Sequence, residues 1–346
     1  MSARSIAAWV ATERAARRAR AIAIPRQLHA PPIAMNQSQT QTSANLLPRH
    51  SAAGVLYRVE HLTAYTYEAP VELAHHLAHL RPRDETTQQC VLHECVVGPA
   101  PDHASEGHDV FGNARRLFAF YTPHDTLSVN AISLVRVQAP TPPDFAASPA
   151  WGHVRDLLLY RAGKPFVAQA EFSFGSHFSP LFAQATAYAA PSFTPRRPLL
   201  EGALDLMHRI HADFTYDPES TEAHTRAPQA LELRHGVCQD YAHVMLSALR
   251  GVGLAARYVS GYLRSRPPPG EAQLVGADAS HAWVEVWCPA HGWVEFDPTN
   301  DRQPAADYVR VAVGRDFADV SPLRGVIRGG GEHTLDVAVR VSAVEE

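Results

Sequence analysis

No stretch of the sequence approaches the ~18 uninterrupted apolar residues of a membrane-crossing helix, so no transmembrane span is expected. There is no basic excess either: 31 Lys and Arg face 35 Asp and Glu, a formal net charge of −4. That balance excludes the positive footprint of a general nucleic-acid binder. Cysteine is scarce, and four in 346 residues cannot staple a secreted disulfide scaffold. Lysine is scarcer. Lys164 is the single copy and every other basic residue is arginine, a bias of composition with no chemistry of its own. Walker and Rossmann glycine patterns are missing, as is a calcium loop of the D-x-[DN]-x-[DN]-G type, so no cofactor is expected. What is present is an ordinary folded composition, 46% hydrophobic and 19% charged, at a length that suits two domains.

Residues 1–52 read as a disordered tail. Seven Arg stand against one acid, Glu13, and a Gln/Ser/Thr run follows from Met35 to Asn45, too little apolar surface to offset the entropy of ordering. The short apolar run Ile6–Ala11 precedes the Arg cluster, the reverse of a secretory signal, and Met35 offers an alternative start. Residues 53–140 alternate with period two: Val55, Tyr57, Val59 and His61 share a face, as do Val91, His93, Cys95 and Val97, and Leu127 to Val137 continues the pattern. The segment reads as an N-terminal, mainly-β domain with some helix near Leu73–Leu80. Residues 141–198 read as a linker and helical segment. Residues 199–346 read as an α+β core: a helix through Leu199, Leu200, Ala203, Leu204, Met207 and Ile210, a second over Cys238–Arg250, then antiparallel strands to the C-terminus.

The sharpest chemical signal is Gly236-Val237-Cys238-Gln239-Asp240-Tyr241. A cysteine opening a helix meets unpaired backbone N–H groups and the positive end of the helix dipole, which favour a thiolate nucleophile. A buried structural cysteine is the competing reading of that position alone. Downstream, Ser280 to Trp287 alternates as a strand and a turn leads into Trp293-Val294-Glu295-Phe296-Asp297. Pairing 287 with 293 sets Trp283 opposite Asp297 and makes His281 the diagonal neighbour of Asp297 on the same face. Nucleophile, base and base-orienting acid are then all supplied, in chain order Cys238, His281, Asp297.

The segments "GVCQDYAHVMLSALRGVGLAARYVSGYL", "SHAWVEVWCPAHGWVEFDPTN" and "VAVGRDFADVSPLRG" resemble the bacterial transglutaminase-like proteins. The stretch from Tyr57 through Tyr65-Thr66-Tyr67-Glu68-Ala69-Pro70-Val71 and Arg81-Pro82-Arg83 to Asp109-Val110-Phe111-Gly112-Asn113 is similar to their N-terminal domain. The resemblance spans about residues 55–342. It implies a papain/transglutaminase-like core, a helix carrying the nucleophile packed on an antiparallel sheet, with Cys238, His281 and Asp297 as the triad. It also implies acyl transfer through a Cys thioester on a protein or peptide substrate. Tyr216 is the candidate second oxyanion donor, and Asp240 and Trp283 are candidate substrate-side residues.

Three activities fit: a cysteine hydrolase (protease or amidase), an amine-accepting protein-glutamine transglutaminase, or a non-catalytic interaction scaffold. The compartment expected is the cytoplasm, where a nucleophilic thiol stays reduced. Other clusters carry less. His75-His76-x-x-His79 would set two imidazoles on one helical face without a third metal ligand, so no metal is expected. Cys90 and Cys95 fall on opposite faces of a regular strand. Pro267 to Ala279, directly before His281, reads as a loop or flap over the site. The sequence is silent on oligomeric state.

Overall fold

The computed structural model describes residues 54–163, 165–264 and 279–344. The tail expected over 1–52 and the flap expected from Pro267 onward lie outside the described residues.

The first sheet is organised by one long strand, β1 (Val55–Ala78). Its first half pairs with β5 (His124–Val137) on one side and β13 (His333–Ala343) on the other. Near Val71, just after Pro70, both pairings shift or end, and the second half pairs with β4 (Ala114–Phe120) and β12 (Leu323–Gly329). Proline has no N–H to give a ladder, so an exchange of neighbours falls naturally beside it. The strands β2 (Gln88–Gly98) and β3 (His103–His108) close the two ends of the seven-stranded sheet.

Three expectations are corrected here. The helix near Leu73–Leu80 is strand, so His75 and His76 point to opposite faces and the helical histidine pair does not form. Cys90 and Cys95 sit on one face, opposite Val135 and Ala131, because a bulge between Cys90 and Leu92 shifts the strand's phase. The C-terminal strands β12 and β13 belong to the sheet of the N-terminal domain, not to the 199–346 core. Leu335, Val339 and Val341 of β13 are buried in the assembled structure, which alternation in one segment cannot foretell.

A helical segment follows, with α1 (Trp151–Leu158), α2 (Ala183–Ala189) and α3 (Leu199–Asp213). The two-residue strand β6 (Thr215–Tyr216) lies parallel to β7 (His235–Gly236), with α4 (Ala227–Leu233) between them. The helix α5 (Cys238–Gly251) is central and buried along almost its whole length. It packs on a four-stranded antiparallel sheet of order β10-β9-β8-β11, formed by β8 (Ala256–Leu263), β9 (His281–Cys288), β10 (Gly292–Phe296) and β11 (Tyr308–Gly314). Val244, Met245 and Leu249 of α5 share a core with Ala282, Val284 and Val286 of β9. The helices α2 and α4 also pack on α5, and its buried Arg250 donates to the carbonyls of Phe172, Ala256 and Arg315. A short helix, α6 (Phe317–Val320), links β11 to β12.

The two sheets meet at β11, the outer strand of the core sheet. Its free edge is occupied by two side-chain amides. Gln88 accepts the Arg310 N–H and donates to the Arg310 carbonyl, both at 2.8 Å. Asn113 does the same for Val313, at 2.9 and 2.7 Å. Each amide turns one N–H donor and its carbonyl acceptor to the strand, so it substitutes for a missing strand residue. Glycine at 112, with φ of +76°, allows the tight turn that presents Asn113.

Candidate active site

The nucleophile candidate is placed by the parallel β6–β7 pair, which ends one residue before the N-cap of α5. Gly236 sits there at φ +156°, and a Cβ on it would lie 2.4 Å from the Asp240 carboxylate. Asp240 reaches back to accept the Val237 N–H at 2.8 Å and the Thr221 hydroxyl at 2.6 Å. Gln239 donates to the Ala223 carbonyl at 2.8 Å. The two residues after Cys238 thus hold the 217–226 loop against the helix start. Cys238 itself is 8% exposed at the first turn of α5.

The hairpin pairs as the alternation requires: Trp287 with Trp293, Val286 with Val294, Glu285 with Glu295 and Val284 with Phe296. Continuing the register sets Trp283 across from Asp297. The consequence is a hydrogen bond of 2.7 Å between His281 Nε2 and Asp297 Oδ2, with both side chains out of contact with solvent. Asp297 is fully saturated. Its Oδ1 takes the backbone N–H of Thr299 (2.9 Å) and Asn300 (3.2 Å), and its Oδ2 also takes the Tyr308 hydroxyl (2.7 Å) and the Asn300 amide (2.8 Å). On the other side of the ring, His281 Nδ1 has no hydrogen-bond partner among the described residues, and Cys238 lies close enough to the imidazole to act on its charge.

The electrostatics follow from this arrangement. Burial disfavours a charged imidazole, but the Asp297 and Cys238 charges and the hydrogen bonds to both outweigh it and raise His281 to about 10. For Asp297, burial works against ionisation, yet the His281 charge and the donors His281, Asn300 and Tyr308 hold it below the usual carboxylate range. The Cys238 sulfur, an imidazole stabilised as imidazolium and an anionic carboxylate therefore neighbour one another.

The hairpin register brings His281 onto Asp297, and Cys238 neighbours the imidazole from the start of α5. Of the other three candidates, two are completely buried, Asp240 and Trp283. Asp240 accepts hydrogen bonds that shape the helix start. Trp283 is also completely buried, donating its indole N–H to Glu295 at 2.8 Å and meeting Tyr308 edge-to-face at 5.3 Å, so it lies behind His281 rather than along an open cleft. Tyr216 pairs by backbone with Gly236 and packs, half-buried, against the core cluster that includes Cys238. Two contributors went unforeseen. Tyr308 opens β11 and Asn300 closes the turn after Pro298; both meet Asp297 through the fold of β11 and that turn. No spacing signal marks Tyr308. The Asp-Pro-Thr-Asn turn was visible, but only as a strand ending.

A helix-borne cysteine over an antiparallel sheet, with histidine and aspartate on adjoining strands, defines a papain/transglutaminase-like cysteine fold. The transglutaminase-like superfamily core matches residues 186–298, and the bacterial transglutaminase-like N-terminal region matches residues 57–136. An uncharacterized protein of Mycobacterium tuberculosis is 41% identical over 297 residues, covering 84% of this chain and 93% of that protein. One of Mycobacterium leprae is 31% identical over 291 residues, covering 82% and 98%. The chain belongs to the transglutaminase-like superfamily, in the form that carries the bacterial N-terminal region. A protein-glutamine gamma-glutamyltransferase of Pseudomonas aeruginosa is 38% identical over 92 residues, 26% of this chain and 14% of that protein. The fold is also that of a candidate cysteine protease from Cytophaga hutchinsonii, with a TM-score of 0.65 at 19% identity over 85% of this chain and 92% of that one.

Proposed function

We propose that the protein is a cysteine enzyme that transfers acyl groups from peptide or glutamine-type amides through a thioester on Cys238, with water as the usual acceptor. The observation that carries this reading is the continuous buried set Cys238, His281 and Asp297. His281 holds the Cys238 proton as imidazolium, and Asp297 fixes the ring through Nε2 so that Nδ1 serves the sulfur. The thiolate attacks the amide carbonyl. The tetrahedral oxyanion is met by the Cys238 backbone N–H at the helix start, worth ~3 kcal/mol of transition-state stabilisation, with Tyr216 as the candidate second donor. The imidazolium then protonates the leaving amine or ammonia as the C–N bond breaks, leaving the thioester. Water, deprotonated by the neutral imidazole, attacks the thioester, the C–S bond breaks, and the acid leaves.

An amine acceptor would follow the same steps and end in a new amide bond. The Pseudomonas relative, whose matched segment is confined to part of that protein, supports this second reading. Water is placed first because it needs no site of its own. The substrate class is protein or peptide, and the compartment a reducing one such as the cytoplasm.

Brief treatment with substoichiometric iodoacetamide followed by intact-mass measurement tests the reading. A single fast label is expected, absent in Cys238→Ala and slowed at least ~100-fold in His281→Ala. Equal, slow labelling of Cys90, Cys95, Cys238 and Cys288 would leave a scaffold as the better description. Glutamine peptides with and without a primary amine then separate the acceptors: ammonia release alone means hydrolysis, and amine incorporation means transfer.

A further inference from the structure

Tyr308 is buried on the outer strand of the core sheet, and its hydroxyl makes one specific contact, with Asp297 Oδ2 at 2.7 Å. That oxygen is also the acceptor for His281 Nε2 at 2.7 Å and the Asn300 amide at 2.8 Å. An oxygen with three donors shares its charge among them, so the hydroxyl competes with His281 for the same lone pairs and stabilises the carboxylate in its ionised form. The phenol ring is fixed from three sides: Trp283 edge-to-face at 5.3 Å, His281 edge-on at 6.2 Å and the Arg302 guanidinium 5.6 Å above it. The strand that delivers it is held at its far edge by Gln88 and Asn113. Tyr308 keeps its proton, because burial and the adjacent Asp297 charge both oppose phenolate formation.

We propose that Tyr308 is a positioning residue of the site, a fixed neutral donor that keeps Asp297 ionised and aimed at His281 while Cys238 reacts. This rests on the cysteine-nucleophile reading above. It acts through the carboxylate and touches neither substrate nor sulfur. The charged or titratable groups around the pair are Cys238 from α5, His281 from β9, Asp297 itself, Arg302 and Asp307 from the loop before β11, and Tyr308 from β11.

The test is the pH dependence of Cys238 alkylation by iodoacetamide in the full chain, for wild type, Tyr308→Phe and a chain with 3-fluorotyrosine at 308. Phenylalanine keeps the ring contacts and removes the donor. Asp297 then holds a proton more readily, and the acid limb of the profile should move up by about one pH unit. Fluorotyrosine, a stronger donor, should move the limb in the opposite direction, and it keeps the test alive if Tyr308→Phe does not fold. A purely structural tyrosine would lower the melting temperature and leave both limbs in place, which overturns the proposal. Slow wild-type labelling at Cys238, no faster than at the other three cysteines, would instead sink the cysteine-enzyme reading and this inference with it.

Discussion

At the residue scale, the protonation of His281 is governed by competition between burial and charge. The imidazole is removed from water, which alone would keep it neutral, yet it is flanked by Asp297 and Cys238 and rises to about 10. Its folded value therefore lies above that of an unfolded histidine, roughly 6.5. The stability it contributes is fully present below pH ~6.5 and is lost as pH climbs toward the folded value. Asp297 behaves inversely: its value is depressed, so its contribution is present above the ordinary carboxylate range and disappears as pH falls. Thermal melts of wild type against His281→Ala should therefore converge between about pH 6.5 and 10. A difference that instead grew with pH would mean that the imidazole is neutral in the folded state. A second residue-level expectation concerns Gly236. Alanine there places a methyl against the Asp240 carboxylate in an unfavourable backbone region, at a cost of about 2 kcal/mol. The more telling measurement is Cys238 labelling, which should slow, because the same carboxylate anchors Val237 and the first turn of α5.

At the scale of elements, the active hairpin and β11 are joined by buried polar contacts. Arg310 forms a two-pronged ion pair with Glu295, and Glu295 also accepts the Trp283 indole N–H. The same Arg310 backbone is bonded by Gln88, so the N-terminal sheet reaches the strand behind His281 in three contacts. Replacing Asn113 with alanine strands the Val313 N–H and carbonyl without partners, a loss of about 2–3 kcal/mol. Gln88→Ala strands the Arg310 N–H, while the Arg310 carbonyl keeps the Arg83 N–H at 3.1 Å. The double variant should melt at lower temperature and, because β11 carries Tyr308, also label more slowly at Cys238. Full labelling speed in a chain with a lowered melt would limit the N-terminal domain to a stabilising role.

At the scale of the whole molecule, the two ends of the described chain share a sheet: β13 lies along the first half of β1 and β12 along the second. Deletion from Leu323 onward removes both partners of β1 on that side and uncovers Tyr57, Val59 and Val71. Such a truncation should fail to give a cooperative melt even though every residue of the Cys238 site remains. Soluble, cooperatively folding truncated protein would show instead that the core and the N-terminal strands are separable. Much of this architecture was legible locally. The i, i+3, i+4, i+7 apolar pattern fixed α3 and α5, because a helix must bury a stripe at that period. Alternation and a short turn fixed the β9–β10 register, because a one-residue slip would turn every side chain to the wrong face. With the register came His281 beside Asp297, and the cysteine at a helix start followed from position alone. The long strand through Leu73–Leu80, the bulge at Cys90, the return of β12 and β13 to β1, and the arrival of Tyr308 at Asp297 were decided by the tertiary structure. Each depends on partners distant in the chain, and hydrogen bonding between strands and burial behind His281 are properties of the assembled sheets rather than of any window of sequence.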